Sequence, residues 1–366
     1  MSDALDFEVL QAAGIANPRE RADLLKYLDG LGFTVDEMVE AEGRGRLFGL
    51  AGDVLQWSGR PTYTVQTAAE ELGLSAEDVA HAWALLGLTV AGLDVPVLSQ
   101  ADVDALRTWV ALRAVVGEDG ASGLLRHLGA AMARLAEAES AIIRDGMPDI
   151  QMEHTHDELA TAQAYRSASE FVPRLGALID TVHRHHLSSA RTYFEGLVTD
   201  STAGVTCGIG FADLSGFTAL TQTLTPEKLS HLLTEFGAAV ADVVHADGGR
   251  VVKFIGDAVL WASPTPDRLV QAAVDLVEHP KAQEADLQVR AGLAYGPVLA
   301  INGDYFGNTV NLAARLVAAA EPGQILAAAE LRGKLPNWRA VAREPLTLKG
   351  FDAPVTAYDL RGGGGD

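Results

Sequence analysis

Cysteine is almost missing from this chain: Cys207 is the single one in 366 residues. One thiol excludes an intramolecular disulfide framework and fits a reducing compartment, with Cys207 expected as a small core residue. Positive charge is also scarce, 28 Lys and Arg against 49 Asp and Glu, for a formal net charge of −21. The deficit is uneven. Residues 1–203 hold 15 basic and 31 acidic side chains, residues 204–360 hold 12 and 17. Binding to nucleic acid or anionic lipid is driven mainly by Lys and Arg, so neither is expected as a partner. Long hydrophobic runs are lacking too. The longest, Leu85 to Leu98, is interrupted by Gly87, Gly92, Asp94 and Pro96, and is too short to span a bilayer. The opening ten residues show neither a basic start nor an apolar run, so no secretory signal is read and a cytoplasmic location is expected.

What remains is globular in composition, 48% apolar and 21% charged, and the length suggests two domains. The first half reads as helices. Asn17-Pro18-Arg19-Glu20 has the order of a helix start, ahead of Leu24, Leu25 and Leu28. Ser99 introduces a further helix with Val103, Leu106, Val110 and Leu112 at helical spacing, continued over 121–144. Another long stretch runs from about Asp157 to Phe194, with a kink expected at Pro173. Between them, Tyr63 to Leu88 resembles a helix-turn-helix of bacterial transcription regulators. No Lys or Arg occurs from Pro61 to Leu106, however, and Glu77 and Asp78 open the second helix, where a DNA reader needs positive charge. The unit is therefore read as a packing or regulatory module.

After Gly204 the period changes. Val205, Cys207, Ile209 and Phe211 alternate with smaller residues, as in a strand. Thr225-Pro226-Glu227 caps a helix expected to bury Leu229, Leu232, Leu233, Phe236, Val240 and Val243. Residues 250–254 and 258–262 form a hairpin around Ile255-Gly256-Asp257, and a helix over 266–278, strands within 288–303, a helix over 308–320 and short strands after Gly323 follow. The whole is an α+β sheet domain preceded by an all-α domain.

Chemistry-bearing residues fall on this second half. Asp213 stands where the first strand ends, in Phe211-Ala212-Asp213-Leu214-Ser215-Gly216-Phe217, and Asp257 stands at the hairpin tip after Lys253. Should the hairpin pair beside the first strand, the two carboxylates share one space and can bind two Mg²⁺, an ion that takes hard oxygen ligands and few protein carboxylates. Taken alone, either Asp reads as a turn or cap residue. Asn311 and Arg315 share a helical face amid apolar neighbours in Asp304-Tyr305-Phe306-Gly307-Asn308-Thr309-Val310-Asn311-Leu312-Ala313-Ala314-Arg315, and Lys349-Gly350-Phe351 closes the set.

In order and spacing these motifs make residues 204–360 similar to the catalytic domain of class III adenylyl cyclases. The resemblance implies a ferredoxin-like nucleotidyl cyclase fold that converts ATP to 3′,5′-cyclic AMP and pyrophosphate with two Mg²⁺ or Mn²⁺ per site. Asp213 and Asp257, with Leu214 beside them, would hold metal; Lys253 and Asp304 would read adenine; Asn311 would orient the ribose, Arg315 stabilise the transition state and Lys349 hold the terminal phosphates. Guanylyl cyclases of this fold generally carry Glu and Cys where Lys253 and Asp304 stand, so ATP is the expected substrate. Active sites in this family lie between two catalytic domains, which implies a homodimer. Residues 1–186 resemble, more loosely, the regulatory domain of mycobacterial pH-sensing adenylyl cyclases, with 187–203 as connector and 361–366 as a disordered tail. A restraining role, a pH response through His183, His185 and His186, and a small-molecule or lipid ligand for the helical half are what that likeness would bring. A nucleotide-binding module of weak activity, a guanylate cyclase and a transcription regulator are the competing readings.

Overall fold

The computed structural model describes residues 6–90, 92–195, 204–280 and 288–361. Two compact units divide the chain, Met1–Arg184 and His185–Asp366. Residues 196–203 of the expected connector and 362–366 of the expected tail lie outside the described residues.

In the first unit the helices are α1 (Phe7–Ala13), α2 (Ala22–Gly30), α3 (Val35–Gly43), α4 (Leu50–Gln56), α5 (Val65–Leu72), α6 (Ala76–Leu85), α7 (Gln100–Gly146), α8 (Met152–Thr155) and α9 (Glu158–Ser169), with α10 (Val172–Glu195) running past the boundary. The helix expected at Asn17-Pro18 begins later. Asn17 has a positive φ of 45°, its carbonyl closes a turn onto Glu20 and Arg21, and α2 starts only at Ala22. Arg21, at the N-cap position, instead binds the carboxylates of Glu158 at 2.6 Å and Glu42 at 2.7 Å, tying α9 to α3. The long stretch after Asp157 is two helices, because the first ends at Ser169 and Pro173 takes the second position of a new one rather than kinking an old one. Gly117, at φ 78° and ψ 171°, bends α7. The helix-turn-helix-like unit is α5 and α6, with Asp78 spent on a capping box with Ser75.

The second unit is an eight-stranded sheet: β1 (Gly204–Ser215), β2 (Arg250–Ile255), β3 (Ala258–Ser263), β4 (Gln288–Ile301), β5 (Asp304–Phe306), β6 (Ile325–Ala328), β7 (Ala340–Ala342) and β8 (Ala357–Leu360). The order is β2-β3-β1-β4-β6-β8-β7, with β5 on β4. Helices α11 (Phe217–Thr221), α12 (Pro226–Ala246), α13 (Pro266–Val277), α14 (Asn308–Ala319) and α15 (Ala329–Arg332) complete it. Strand parity sorts the core into two layers. Val205, Cys207, Ile209 and Phe211 of β1 pack with Ala313, Leu316 and Val317 of α14, while Ala212 and Leu214 pack with Trp261 and with α12 and α13. Cys207 is fully buried. In α12 only Val240 and Val244 are buried; Leu229, Leu232, Leu233, Phe236 and Val243 are half-covered, because the helix contacts the edge strand β2 and α13 rather than the middle of the sheet. Asp304, beyond the strands expected within 288–303, lies on β5: Asn302 and Gly303, both at positive φ, make the tight turn that folds β5 back along β4.

Candidate active site

Antiparallel pairing of β1 with β3 places Asp213 opposite Ala258, the residue after Asp257, so the hairpin tip lies beside the end of β1. Gly256, at φ 63°, makes that tip. Burial pushes the Asp257 carboxyl above the usual carboxylate range, and the neighbouring Asp213 carboxylate adds to the push, against its own backbone N–H and Arg290. The two acidic groups therefore share one space. On the other side, β4 sets Arg290 opposite Asp213, and its Nε and Nη2 donate to Asp213 Oδ2 at 2.9 and 2.5 Å. Nη1 of the same arginine reaches the Ala320 carbonyl at the end of α14, at 3.3 Å.

Arg290 was not among the residues singled out from sequence. Its signal was a cation inside an otherwise apolar strand, Val289-Arg290-Ala291-Gly292-Leu293-Ala294, where only a nearby carboxylate makes such a residue affordable.

Among the described residues no three His, Cys, Asp or Glu gather as a cage for a metal. The donor chemistry at Asp213 and Asp257 nonetheless fits a hard divalent ion. Two carboxylates disfavour each other's charge, both bonds from Arg290 fall on one oxygen of Asp213, and magnesium completes its shell from water and substrate phosphate. The Leu214 side chain, buried in the core, carries no donor atom, so only its backbone carbonyl could serve a cation. Ser215 Oγ, next along, is buried without a hydrogen-bond partner.

Two residues of the second group meet on the same sheet, and the others lie on α14 and the loop beside it. Lys253 of β2 forms an ion pair with Asp304 Oδ2, and Asp304 Oδ1 accepts from the Tyr305 N–H at 2.8 Å. Asn311 and Arg315 lie exposed on α14. Arg315 Nε donates to the Lys349 carbonyl at 3.1 Å, which joins the helix to the loop that carries the exposed Lys349 side chain. Half-exposed apolar side chains flank both groups: Phe254 and Ile255 precede the Asp257 turn, and Leu299, Ile301 and Phe306 line the β4–β5 hairpin.

Residues 200–362 match the family model of the adenylate and guanylate cyclase catalytic domain. An uncharacterised protein of Mycobacterium tuberculosis is 78% identical over 98% of this chain and 95% of its own. A pH-sensitive adenylate cyclase of Mycobacterium tuberculosis is 28% identical over 94% of this chain and 88% of its own. Among solved structures, an adenylyl cyclase from P. aeruginosa is 25% identical over 43% of this chain and 95% of that one, with a TM-score of 0.41. The adenylate cyclase of Streptomyces coelicolor is 33% identical over 72% of this chain and 69% of its own. On the domain match and that relationship, this chain, a helical N-terminal region followed by a mixed-sheet catalytic domain, belongs to the class III adenylate and guanylate cyclase family.

Proposed function

We propose that this protein converts ATP to 3′,5′-cyclic AMP and pyrophosphate at sites shared between two copies of the catalytic domain. Cyclase domains of this family bind nucleotide, use divalent metals and work as dimers. The observation that carries the choice of adenine is the Lys253–Asp304 pair. Adenine presents an acceptor at N1 and a donor in its amino group, which a lysine donor and an aspartate acceptor complement. Guanine presents the reverse and leaves both protein groups unpaired, a costly mismatch once the dimer covers the site.

Asp213, Asp257 and the Leu214 carbonyl are the groups that would hold two Mg²⁺ or Mn²⁺. Such ions, when bound, acidify the 3′-hydroxyl and neutralise phosphate charge during in-line attack on the α-phosphorus. Asn311 orients the ribose, and Arg315 adds fixed positive charge where negative charge develops, an effect of about 3–4 kcal/mol for a comparable donor. Lys349 holds the terminal phosphates. Arg290, already bound to Asp213, balances charge beside the carboxylates. One chain carries both sets of residues, so a head-to-tail homodimer holds two equivalent sites, and the exposed apolar side chains around each set support a surface that is covered in the active form.

Incubation of purified protein with ATP or GTP and either metal, followed by detection of the cyclic product, tests the reading. Cyclic AMP from ATP is expected; product from GTP alone moves the assignment to guanylate cyclase, and none under any condition leaves only a nucleotide-binding module. We further propose that the helical half restrains the catalytic domain and that His183, His185 and His186 contribute a pH response. All three are exposed on α10, with the Asp180–Arg184 ion pair beside them at 2.8 Å. A variant with all three replaced by Gln that keeps the parent pH profile removes them from this role.

A further inference from the structure

Lys253 and Asp304 belong to strands that are not neighbours: β3 and β1 stand between β2 and β4, the strand on which β5 is folded back. Something must hold the β5 hairpin close to β2 for the pair to form. A single ion pair with Lys253 44% exposed is a weak fastening, worth little against solvent and side-chain entropy. The second fastening is Arg250. Its Nη2 donates to the Tyr305 hydroxyl at 3.1 Å and reaches the Gly303 carbonyl at 3.5 Å, and its guanidinium stands 5.4 Å from the centre of the Tyr305 ring. Tyr305 is almost fully buried and belongs to the core layer under α14, so its hydroxyl is a fixed anchor point.

Strand geometry explains how both fastenings come from β2. Side chains three apart on a regular strand face opposite sides of a sheet. The register of β2 on β3 slips between Val251 and Lys253, and this bulge puts Arg250 opposite Ala262 and Lys253 opposite Leu260, two residues of one core layer. Arg250 and Lys253 thus face the same side, and each holds part of the segment Gly303-Asp304-Tyr305: the arginine its two ends, the lysine its middle. With the Tyr305 N–H on Asp304 Oδ1 and Lys253 on Oδ2, both oxygens of the carboxylate are held.

We propose that Arg250 is a positioning residue for base selection, holding the β4–β5 hairpin on β2 so that Lys253 and Asp304 meet the adenine edge in one geometry. This rests on the assignment of Lys253 and Asp304 as the base-reading pair. Arg250 touches no substrate in this scheme; it acts through Tyr305 and Gly303. Loosening the hairpin lets Asp304 move, which weakens ATP binding and lets GTP compete, while the groups that act on the phosphates stay in place.

Steady-state kinetics of the full-length chain with ATP and with GTP decide the matter. For Arg250→Ala the KM for ATP rises about tenfold with kcat within about threefold, and the ATP-over-GTP ratio of kcat/KM falls about tenfold, the scale of one lost charge-assisted hydrogen bond. Arg250→Lys keeps the charge without the planar fork and recovers only part of the ratio. Tyr305→Phe keeps the ring and removes the acceptor, so the ratio falls in the same direction; it carries the test should Arg250→Ala not fold. A ratio unchanged in both Arg250→Ala and Tyr305→Phe, or an equal loss of kcat on both nucleotides, overturns the proposal. Lys253→Ala separates the two levels. If it lowers the ATP preference while the Arg250 and Tyr305 variants do not, only the positioning role is lost; if it leaves the preference intact, the base-reading assignment fails and the positioning role falls with it.

Discussion

To hold a cation as proposed, Asp257 must carry negative charge where burial and the Asp213 carboxylate both oppose it. Its folded-state pKa lies above the unfolded value, so ionisation weakens the fold: the handicap is absent at low pH and complete once pH has risen past the folded pKa. Asp257→Asn should therefore melt higher than the parent in the absence of metal at neutral pH, with the difference closing on acidification to below pH of about 3, where the parent carboxyl is protonated in both states. Added Mg²⁺ or Mn²⁺ should raise the melting temperature of the parent more than that of the variant, since ligand binding stabilises only the state that binds it. Cyclic AMP production should be lost. Thermal melts across pH with and without metal check all of this, and a variant that melts lower at neutral pH without metal contradicts it. At this scale the sequence was informative wherever a residue sat in a turn or at a strand end, as Asp213 and Asp257 do. For Arg290 it offered only a cation in an apolar strand, because the partner lies 77 positions away and is defined by the β1–β4 register.

Helix α14 carries Asn311 and Arg315, and its height over the sheet is set by what β4 lacks. Gly292, Ala294 and Gly296 occupy alternate positions of the strand, and a Cβ at Gly292 would meet the Val317 backbone nitrogen at 2.2 Å and the Ala313 carbonyl at 2.4 Å. Backbone cannot yield as a flexible side chain does, so Gly292→Ala should lift α14 from the sheet at a cost of about 1–3 kcal/mol. Activity should fall through kcat more than KM, because Arg315 moves while Lys253 and Asp304, on β2 and β5, stay. Parallel denaturation and kinetic measurements test this, and unchanged stability with full activity would show that the helix is not held at contact distance. Elements of this kind were largely legible: β1, the 250–263 hairpin, α13 and α14 fall within a few residues of where periodicity and caps put them. Two departures share one cause. At Asn17 and Asp304, local preference was compatible with two states, and a tertiary partner chose: Glu42 and Glu158 for Arg21, and the edge of β4 for β5.

Charge and surface argue at the level of the whole chain. One chain carries the carboxylate pair and the Lys253, Asp304, Asn311 and Arg315 set, while each set is bordered by apolar side chains that a lone molecule leaves in water. In a head-to-tail dimer each site takes its carboxylates from one copy and its base-reading and arginine groups from the other. Asp213→Ala and Arg315→Ala are each expected to be nearly inactive alone, the second by roughly 10²–10³ in kcat. Mixing them recreates one intact site in every mixed dimer, with both lesions confined to the other. Equal mixing with free exchange makes about half of all dimers mixed, so about a quarter of parent activity should return. Activity titrated against mixing ratio should peak at equal amounts and vanish at either end, a shape that contamination by active enzyme cannot produce. Sites completed within single chains would give a flat line at the level of the two inactive variants.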